Sequence, residues 1–539
     1  HVLASNPISF LLPTGHTVLW QIRRITPSAG SCRHMPFSLF FKPVFQAIRK
    51  NVPRRMQNNL HIHPTAFPFS ISEVVSNWPG RYNSKKDPFP RKICYGAEGD
   101  RGHPMENIQR QPVRAVVLGG GGARGAYEVG VWQAMAELGM DYQVVTGTSV
   151  GALNGALMVQ QNLEGALHLW NHLDNSDVMK NMPDLTADKN SRLEIYRSFF
   201  RQVMREGGVD TSPLARLVKQ LVDEQQLRRS SRELGIVTVD VSARRALELF
   251  LPEIPQGHLA DYLLASAACF PFLQSKEIGG ATFVDGGYTN NIPINLALRA
   301  RQTPEEIIAV DVEGIGLVRR VHTHIPLRTI RCHWDLGDLL IFDSGRSRRN
   351  IRLGYQDMMK AMGRLEGHAY TFSGGQLKRM AESRLMGMSS LLMTALDKAL
   401  PEEGNKLLGR LTAERLLDAA GESPKEQQPT DILLASCELA AELLGVDPLP
   451  VYTAEEFEQA VLERRRQLEP GDGVPALSEI GPARLKKALE GQGKEQLLLT
   501  VEALLRRGLS EETEKNRLPW LAAAFPREYL AALYLILLT

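Results

Sequence analysis

The sequence contains few cysteines, and they form no recognisable motif. Its five cysteines are spread over 539 residues, with no CxxC pair and no Cys/His cluster. They are Cys32, Cys94, Cys269, Cys332 and Cys437. This distribution argues against a disulfide framework and against a structural zinc site. The sequence therefore predicts a protein of a reducing compartment that holds no metal.

Long apolar runs and a strong net charge are also missing. No window approaches the roughly 18 uninterrupted apolar residues that a membrane-spanning helix needs. The closest run, Tyr529–Thr539, follows Pro526 and is better explained as a buried terminal helix than as a membrane contact. The formal net charge of +3 gives no global signature of nucleic-acid binding. We therefore expect a cytoplasmic protein that binds no nucleic acid, and peripheral contact with a membrane stays open.

The near-neutral total hides a basic N-terminal segment. Residues 1–104 hold 14 Lys and Arg, four Asp and Glu, and 12 of the 31 prolines. Because proline is poorly tolerated inside helices and central strands, we expect this segment to be an irregular basic extension outside the main folded domain. Pro7 and Pro13 also interrupt its first apolar stretch, which argues against a secretory signal there.

From Val113 onward, short apolar runs alternate with Gly-rich turns and amphipathic stretches. This pattern is typical of a sheet with crossover helices. The predicted strands are Val113–Leu118, Val144–Thr148, Ile236–Asp240, Ala281–Asp285 and Ile307–Val312, and the predicted helices between them include Ala126–Leu138 and Val150–Gln160. The fold class is therefore expected to be α/β, with an α/β domain at residues 105–375.

Helix formers dominate the chain after about residue 375. Thr453 and Glu456 form a capping box that opens a predicted helix at Ala454–Leu468. Further helices are predicted at Pro482–Gly491 and Lys494–Arg507. Because nothing in this part groups a nucleophile, a base and hydrogen-bond donors, residues 376–539 are predicted to form a helical C-terminal domain for packing or oligomerisation. The oligomeric state itself stays open.

A loop of four consecutive glycines follows the first predicted strand. In Gly119–Gly125 (GGGGARG), backbone N–H groups can approach a ligand closely and point at negative charge where the next helix begins. The loop also fits the dinucleotide fingerprint G-x-G-x-x-G. A dinucleotide site needs an acidic residue at the end of the second strand, where Thr148 and Ser149 stand instead. The loop predicts an anion or oxyanion site, and a nucleotide-binding α/β enzyme stays open as an alternative.

A G-x-S-x-G motif lies at the turn between the second strand and its helix. Its central residue is Ser149, with Gly147 and Gly151 on either side. Small flanking residues relieve crowding at a sharp turn, which holds the hydroxyl at a helix N-terminus where the dipole favours negative charge. The motif and the glycine loop together supply the nucleophile and the donors that acyl transfer needs.

A serine hydroxyl is a poor nucleophile without a base. None of the 13 histidines stands in a recognisable motif. Asp285 ends a predicted strand and is followed by Gly286 and Gly287, which allow close approach of another backbone. Asp285 is therefore the predicted base.

Together these motifs resemble those of the patatin-like phospholipases, of the bacterial type. The likeness rests on GGGGARG, on GTSVG, and on DGG followed by Asn290-Asn291-Ile292-Pro293. Leu264–Phe272 (LASAACFPF) is also similar to the family's segment before its aspartate strand. The resemblance spans roughly Val113 to Val312.

The resemblance implies a lipid acyl hydrolase with a doubly wound sheet, helices on both faces, and neither cofactor nor metal. Its catalytic dyad would be Ser149 as nucleophile and Asp285 as base, acting on a lipid or phospholipid partner. The oxyanion donors would be Gly120, Gly121 and Gly122, and the motif-supporting residues would be Arg124, Gly125, Gly147, Gly151, Gly286 and Gly287. Gly119 replaces a residue that is often acidic or Ser in relatives, which should alter loop flexibility more than chemistry. A membrane-associated scaffold with a vestigial site is the second alternative.

Overall fold

The computed structural model describes the chain in segments. These are residues 7–11, 17–21, 111–181, 199, 203, 208–270, 272–397, 406–420, 429–469, 487, 489, 491–511 and 518–539. Among these residues, the helices are too short or too polar to cross a membrane.

The strands, in chain order, are β1 (Pro7–Leu11), β2 (Thr17–Gln21), β3 (Arg114–Leu118), β4 (Val144–Thr148), β5 (Glu233–Asp240), β6 (Arg245–Phe250), β7 (Lys276–Ile278), β8 (Ala281–Asp285), β9 (Glu306–Asp311), β10 (Leu327–Arg331), β11 (Thr371–Phe372) and β12 (Val451–Tyr452). The helices are α1 (Ala126–Glu137), α2 (Val150–Val159), α3 (Leu163–His172), α4 (Asn175–Val178), α5 (Ser212–Leu221), α6 (Glu224–Arg229), α7 (Leu259–Ser266), α8 (Ile294–Ala297), α9 (Ser344–Ala361), α10 (Gln376–Asp397), α11 (Lys406–Ala419), α12 (Pro429–Leu444), α13 (Ala454–Arg466), α14 (Lys494–Ser510), α15 (Leu518–Ala524) and α16 (Pro526–Leu538).

An eight-stranded sheet organises the α/β part of the chain. Its strand order is β10-β9-β3-β4-β5-β8-β7, and β6 also pairs with β5. The strands from β10 to β5 are parallel, whereas β6 and β8 run antiparallel to β5. The sheet is therefore mixed, although the apolar runs predicted a parallel one. The turn 241–244 returns the chain directly along β5, which only an antiparallel neighbour permits.

Helices cover both faces of this sheet, as the sequence predicted. Along β3, Val116 and Leu118 belong to a large apolar core that also includes residues of α1, α2, α3 and α9. The alternate residues Ala115 and Val117 belong to a smaller core on the other face. This alternation follows from the two-residue period of a strand, and it shows that β3 is buried on both sides.

Helices α1 and α9 cross closely on the larger core. A side chain at Gly130 of α1 would collide with the Ile351 carbonyl, and one at Gly354 of α9 would collide with the Tyr127 carbonyl. The Tyr127 hydroxyl donates to Asp357 Oδ2 at 2.7 Å in the same crossing. This contact fixes α1, and α1 begins where the glycine loop ends.

The predicted strands of the α/β part are all present. The largest difference is at β5, which begins at Glu233 rather than Ile236. The capping box at the start of α13 is confirmed, since Thr453 and Glu456 exchange backbone-to-side-chain hydrogen bonds. The C-terminal apolar run forms the buried helix α16, as predicted.

The described residues fall into two compact units. The unit that contains the eight-stranded sheet also contains residues 437–469, whose strand β12 pairs with β11. The other unit contains β1, β2 and the described residues within 387–436 and 470–537. The antiparallel pair β1–β2 lies in the segment predicted as mostly irregular, and the rest of residues 1–110 lies outside the described residues. Most of the predicted helix Pro482–Gly491 lies outside them as well, and the domain boundaries at 104 and 375 stay predictions.

Candidate active site

Ser149 stands at a sharp turn between β4 and α2. Its backbone has φ 55° and ψ −125°, a conformation that non-glycine residues rarely adopt. The neighbouring backbones leave no room for flanking side chains, because a Cβ atom at Gly151 would lie 2.5 Å from the Leu118 carbonyl oxygen and one at Gly147 would collide with Gly151. The geometry is that of a nucleophile elbow, and backbone strain of this kind is typical of functional sites.

Ser266, the last residue of α7, forms a hydrogen bond with this turn. The Ser149 backbone N–H donates to Ser266 Oγ at 2.9 Å, and the Ser266 hydroxyl donates to the Val237 carbonyl at 2.6 Å. Ser266 is fully buried. The sequence analysis included Ser266 in the segment Leu264–Phe272 but assigned it no role, since its partner is 117 residues away in the chain.

Ser149 and Asp285 are brought together by the edge of β5. On that edge Thr148, the last residue of β4, pairs with Val237, and Asp285, the last residue of β8, pairs with Thr238. Because β6 occupies the other edge of β5 along the same residues, β4 and β8 must share this one. The two strands run in opposite directions and their C-terminal ends meet. This meeting places the side chains of Ser149 and Asp285 within hydrogen-bonding reach.

The Asp285 carboxyl group is buried next to the Ser149 side chain. The Gly287 N–H donates to Asp285 Oδ1 at 2.7 Å. Burial raises the pKa of Asp285 to about 6, and interactions with the Gly287 N–H and the Ser149 side chain oppose the rise. A side chain at Gly286 would collide with the Val237 carbonyl, so the strand end can approach β5 only with glycine there.

The glycine loop lies against Ser149 and is clamped by Asn291. The Gly120 N–H donates to the Asn291 carbonyl at 3.1 Å, and Asn291 Nδ2 donates to the Gly120 carbonyl at 3.2 Å. Within the part of the chain that the structure describes, the N–H groups of Gly121 and Gly122 have no acceptor. Of the three predicted oxyanion donors, Gly120 is thus already engaged, whereas Gly121 and Gly122 are available at the cleft.

Arg124 fastens the glycine loop to the segments that follow β9. Its guanidinium group donates to the carbonyls of Gly337 at 2.6 Å, Glu313 at 2.7 Å and Val312 at 3.3 Å. Gly122 adopts φ 53°, which favours glycine, and its backbone packs against the Leu339 carbonyl. Arg124 therefore acts on the loop's position and makes no contact with Ser149 or Asp285.

A buried polar cluster of Asn154, Glu128 and Trp170 contacts the end of the glycine loop. Asn154 Nδ2 donates to the Gly125 carbonyl at 3.0 Å and to Glu128 Oε2 at 2.8 Å, and Asn154 Oδ1 accepts from Trp170 Nε1 at 3.0 Å. Burial raises the pKa of Glu128 well above its usual range, and the Asn154 hydrogen bond only partly opposes this. The sequence analysis identified neither Glu128 nor Asn154, because both lie within predicted helices that consist mainly of apolar residues.

An apolar cleft opens at the Ser149–Asp285 pair. It encloses about 1030 Å³, including the part open to solvent. One end is formed by the glycine loop, the dyad and Asn291. The wall away from this end is almost wholly aliphatic or aromatic, and comprises Val150, Leu153, Leu157, Leu169, Trp170, Leu173, Val178, Leu214, Leu217, Val218, Leu221, Val222, Leu273 and Phe342. The cleft therefore joins a polar reacting end to a long apolar channel.

No histidine is found among the described residues that line the cleft. Five histidines that follow Ser149 in the chain lie elsewhere: His258 contacts Asp261, His333 contacts Glu442 and His368, and His322 and His324 are exposed. The titratable group that lies next to Ser149 is Asp285.

Comparison with known proteins finds similarity in the α/β part of the chain. The sequence model of the patatin-like phospholipase family matches residues 116–298. The rat protein "Patatin-like phospholipase domain-containing protein 7" is 29% identical over 206 residues, which are 37% of this chain and 13% of that protein. "Lysophospholipase NTE1" of Saccharomyces cerevisiae is 25% identical over 270 residues, 49% of this chain and 14% of that protein. The chain thus spans a small fraction of the length of these relatives.

Among solved structures, VipD from Legionella pneumophila overlaps 78% of this chain and 92% of its own, at 14% identity and a TM-score of 0.32. The family match covers the glycine loop, the elbow and the Asp285 strand. Over residues 116–298, the chain is therefore similar to the patatin-like phospholipase family.

Proposed function

We propose that the protein is a serine hydrolase that cleaves acyl ester bonds of lipids, with phospholipids as the substrate class. Ser149 would be the nucleophile, Asp285 the base, and an acyl-enzyme the intermediate. The observation that carries the proposal is the close approach of the Ser149 and Asp285 side chains at the polar end of a long apolar cleft. The pair supplies ester chemistry, and the cleft selects a substrate with an extended apolar chain.

The substrate's acyl chain lies along α2 in this proposal. Val150, Leu153 and Leu157 line the cleft, and their spacing of three and four residues places them on one face of the helix. This face begins beside Ser149, so a chain packed along it holds its ester carbonyl at the nucleophile. The carbonyl oxygen is then directed to the free N–H groups of Gly121 and Gly122.

Asp285 activates Ser149 in the first half of the reaction. As Ser149 Oγ attacks the ester carbon, the Asp285 carboxylate takes the hydroxyl proton, and the C=O double bond opens to an oxyanion held by Gly121 and Gly122. Collapse of this intermediate breaks the bond to the alcohol oxygen, which receives the proton from Asp285. The products of this half are the acyl-enzyme and a free alcohol or lysolipid.

Water completes the cycle through the same groups. Asp285 takes a proton from water, the hydroxide adds to the acyl carbon, and the second intermediate releases a fatty acid while Ser149 regains its proton. A carboxyl group is a weak base at its usual pKa of about 3.9. Burial raises the pKa of Asp285 to about 6, which brings it closer to the neutral pH at which the reaction runs.

The relatives support the lipid ester class. The rat protein is named a patatin-like phospholipase domain-containing protein and the yeast protein a lysophospholipase. Both names point to phospholipid esters, and the apolar cleft of this chain fits a fatty acyl group.

A fluorophosphonate probe followed by peptide mapping tests the proposal. The probe should label Ser149 alone, and the labelled protein should lose hydrolysis of both p-nitrophenyl esters and phospholipids. Ser149→Ala should abolish labelling and activity and leave the melting temperature unchanged. Ser212→Ala is a matched control, since Ser212 also opens a helix but does not line the cleft. Labelling of a different serine, or esterase activity that survives in Ser149→Ala, would show that the proposed nucleophile is wrong.

A further inference from the structure

The loop between β9 and β10 exposes large apolar side chains. Ile315, Leu317 and Val318 are 70%, 63% and 58% exposed. We call residues 313–320 the apolar loop. Side chains of this size are normally buried unless a partner covers them, and a contiguous exposed group marks an interaction site.

Backbone hydrogen bonds hold the apolar loop against the active site. The Leu317 N–H donates to the Gly287 carbonyl at 2.9 Å, and the Asn291 N–H donates to the Leu317 carbonyl at 2.7 Å. Gly287 follows the catalytic strand β8, and Asn291 clamps the glycine loop. The Ile315 side chain also lines the cleft. The loop is therefore part of the rim at which substrate enters.

Two exposed aromatic residues lie beside the apolar loop. Phe270 and Tyr288 are 43% and 42% exposed, and the Tyr288 hydroxyl donates to the Phe270 carbonyl. Tyr288 directly follows Gly287, to which the apolar loop is bonded. Of the ten large hydrophobic residues exposed in the described part of the chain, five thus belong to the apolar loop or to the Phe270–Tyr288 pair beside it. This clustering is not the scattered exposure that ordinary surfaces show.

Two arginines, Arg319 and Arg320, end the apolar loop. Arg319 donates to the Thr289 carbonyl at 2.9 Å and to Glu248 Oε1 at 3.1 Å, which fixes the end of the loop. Arg320 beside it is exposed and forms no ion pair with any described residue. A free cation next to exposed apolar side chains matches the chemistry of a bilayer surface, where anionic headgroups overlie acyl chains.

We propose that the apolar loop, together with Phe270 and Tyr288, inserts into the surface of an anionic phospholipid bilayer and seats the mouth of the cleft on the membrane. The choice of a bilayer rests on the proposed lipid hydrolase function. A protein partner on this rim would cover the opening through which substrate must pass. A bilayer covers the same side chains and supplies the substrate at the opening.

Vesicle flotation tests the proposal without requiring hydrolysis. Full-length Ser149→Ala protein is mixed with phosphatidylcholine vesicles that contain or lack phosphatidylserine. Adding Leu317→Gln and Val318→Gln should weaken binding by about tenfold, because two inserting apolar groups are lost. Leu327→Gln is the matched control: Leu327 is 41% exposed but begins β10, at the opposite end of the sheet from the dyad. Arg320→Gln should weaken binding to phosphatidylserine vesicles and leave binding to pure phosphatidylcholine unchanged.

A second measurement separates docking from catalysis. In protein with Ser149 intact, Leu317→Gln with Val318→Gln should hydrolyse a soluble short-chain ester within about twofold of the parent rate, since surface substitutions seldom disturb folding, and should lose hydrolysis of vesicle phospholipid. Unchanged flotation of the double variant would overturn the docking proposal. So would a change in oligomeric mass by light scattering in place of a change in flotation, since the rim would then bind a second copy. Absence of esterase activity in the parent protein would defeat the proposed function, while flotation would still decide the docking.

Discussion

Thr148 and Asp285 end two strands that meet head to head on one edge of β5. They pair with the consecutive residues Val237 and Thr238 of that strand. The residue after Thr148 is Ser149, so the meeting of the strands is also the meeting of the proposed nucleophile and base. Neither side chain lies on a flexible segment, because β5 fixes both strand ends by backbone hydrogen bonds. The geometry is preorganised, which favours proton transfer from Ser149 to Asp285.

Asp285→Asn should remove the base while keeping the shape of the site. We expect kcat to fall by a factor on the order of 10³ or more, as loss of a nucleophile activator does elsewhere. Single alanine replacements of His258, His322, His324 and His333 should each leave the rate within a few-fold, as should His368→Ala. Steady-state kinetics on a soluble ester measures the rates of the Asp285→Asn variant and of the histidine variants. A histidine variant as inactive as Asp285→Asn would mean a triad in place of the dyad.

The pH dependence of the rate follows from the raised pKa of Asp285. The carboxylate is the active form, and its pKa in the free enzyme is about 6. The value of kcat/KM should therefore rise with pH through about 6 and be lost below it. A pH profile of kcat/KM on a substrate that does not itself titrate measures this. A profile that stays flat from pH 4 to 8, taken as an approximate window around that pKa, would contradict Asp285 as the base.

The raised pKa of Asp285 also makes the folded protein less stable at neutral pH than at acidic pH. An aspartate in an unfolded chain has a pKa of about 3.9, whereas in the folded protein burial raises the pKa of Asp285 to about 6. The folded state therefore binds the proton more tightly, and the free energy of unfolding falls as pH rises between these two values. At neutral pH the loss is about 3 kcal/mol.

Asparagine cannot ionise, so Asp285→Asn should escape this loss. Its melting temperature should exceed that of the parent protein at neutral pH, and the difference should disappear near pH 4, roughly where the unfolded aspartate titrates. Calorimetry across this range measures the effect. A variant less stable than the parent at neutral pH would show that the interactions of Asp285 with Ser149 and Gly287 outweigh the burial of the charge.

Ser266→Ala should disturb the nucleophile without touching substrate. It leaves the buried Ser149 N–H without its acceptor, which costs about 1–3 kcal/mol of stability. A misplaced hydroxyl should lower kcat by about ten- to hundredfold with little change in KM. The rate of inactivation by a fluorophosphonate reports on Ser149 directly and should fall in parallel. Ser347→Ala is the control for loss of a buried serine, since Ser347 lies in α9 and does not line the cleft. An unchanged inactivation rate in Ser266→Ala would exclude a positioning role.

Leu157→Trp should shorten the acyl channel. Leu157 is eight residues beyond Ser149 in α2, or about 12 Å along the helix axis. A larger ring there should block long acyl chains and leave short ones unaffected, because the reacting end stays open. Rates on p-nitrophenyl esters of increasing chain length measure this, and the short-ester rate reports on correct folding. Equal loss at every chain length would mean that the acyl chain does not lie along α2.

The local chemistry of the site could be predicted from the sequence. The glycine loop, the elbow at Ser149 and the strand end at Asp285 are each short runs whose backbone requirements depend on the identity of a few adjacent residues. The apolar runs likewise predicted β3, β4 and β9, because burial on both faces leaves a continuous hydrophobic segment.

Contacts between distant segments could not be predicted in this way. Ser266, which holds the elbow, and Asn291, which engages the Gly120 N–H, lie far along the chain from their partners. The antiparallel direction of β8 decides that its C-terminal end meets β4, and strand direction is not encoded in the hydrophobic pattern of a strand. The exposure of Leu317 and Val318 could not be predicted either, because an apolar residue in a sequence indicates burial by default.

The sequence alone thus determined which groups are available for chemistry: a serine at a strained turn, an aspartate at a strand end, and a loop of free backbone donors. Tertiary structure decided which of them meet and which surface they open onto. The physical reason is that backbone conformation depends on neighbouring residues, whereas the approach of Ser149 to Asp285 depends on strand order and direction, which are fixed only when the whole sheet is hydrogen-bonded and its two cores are packed.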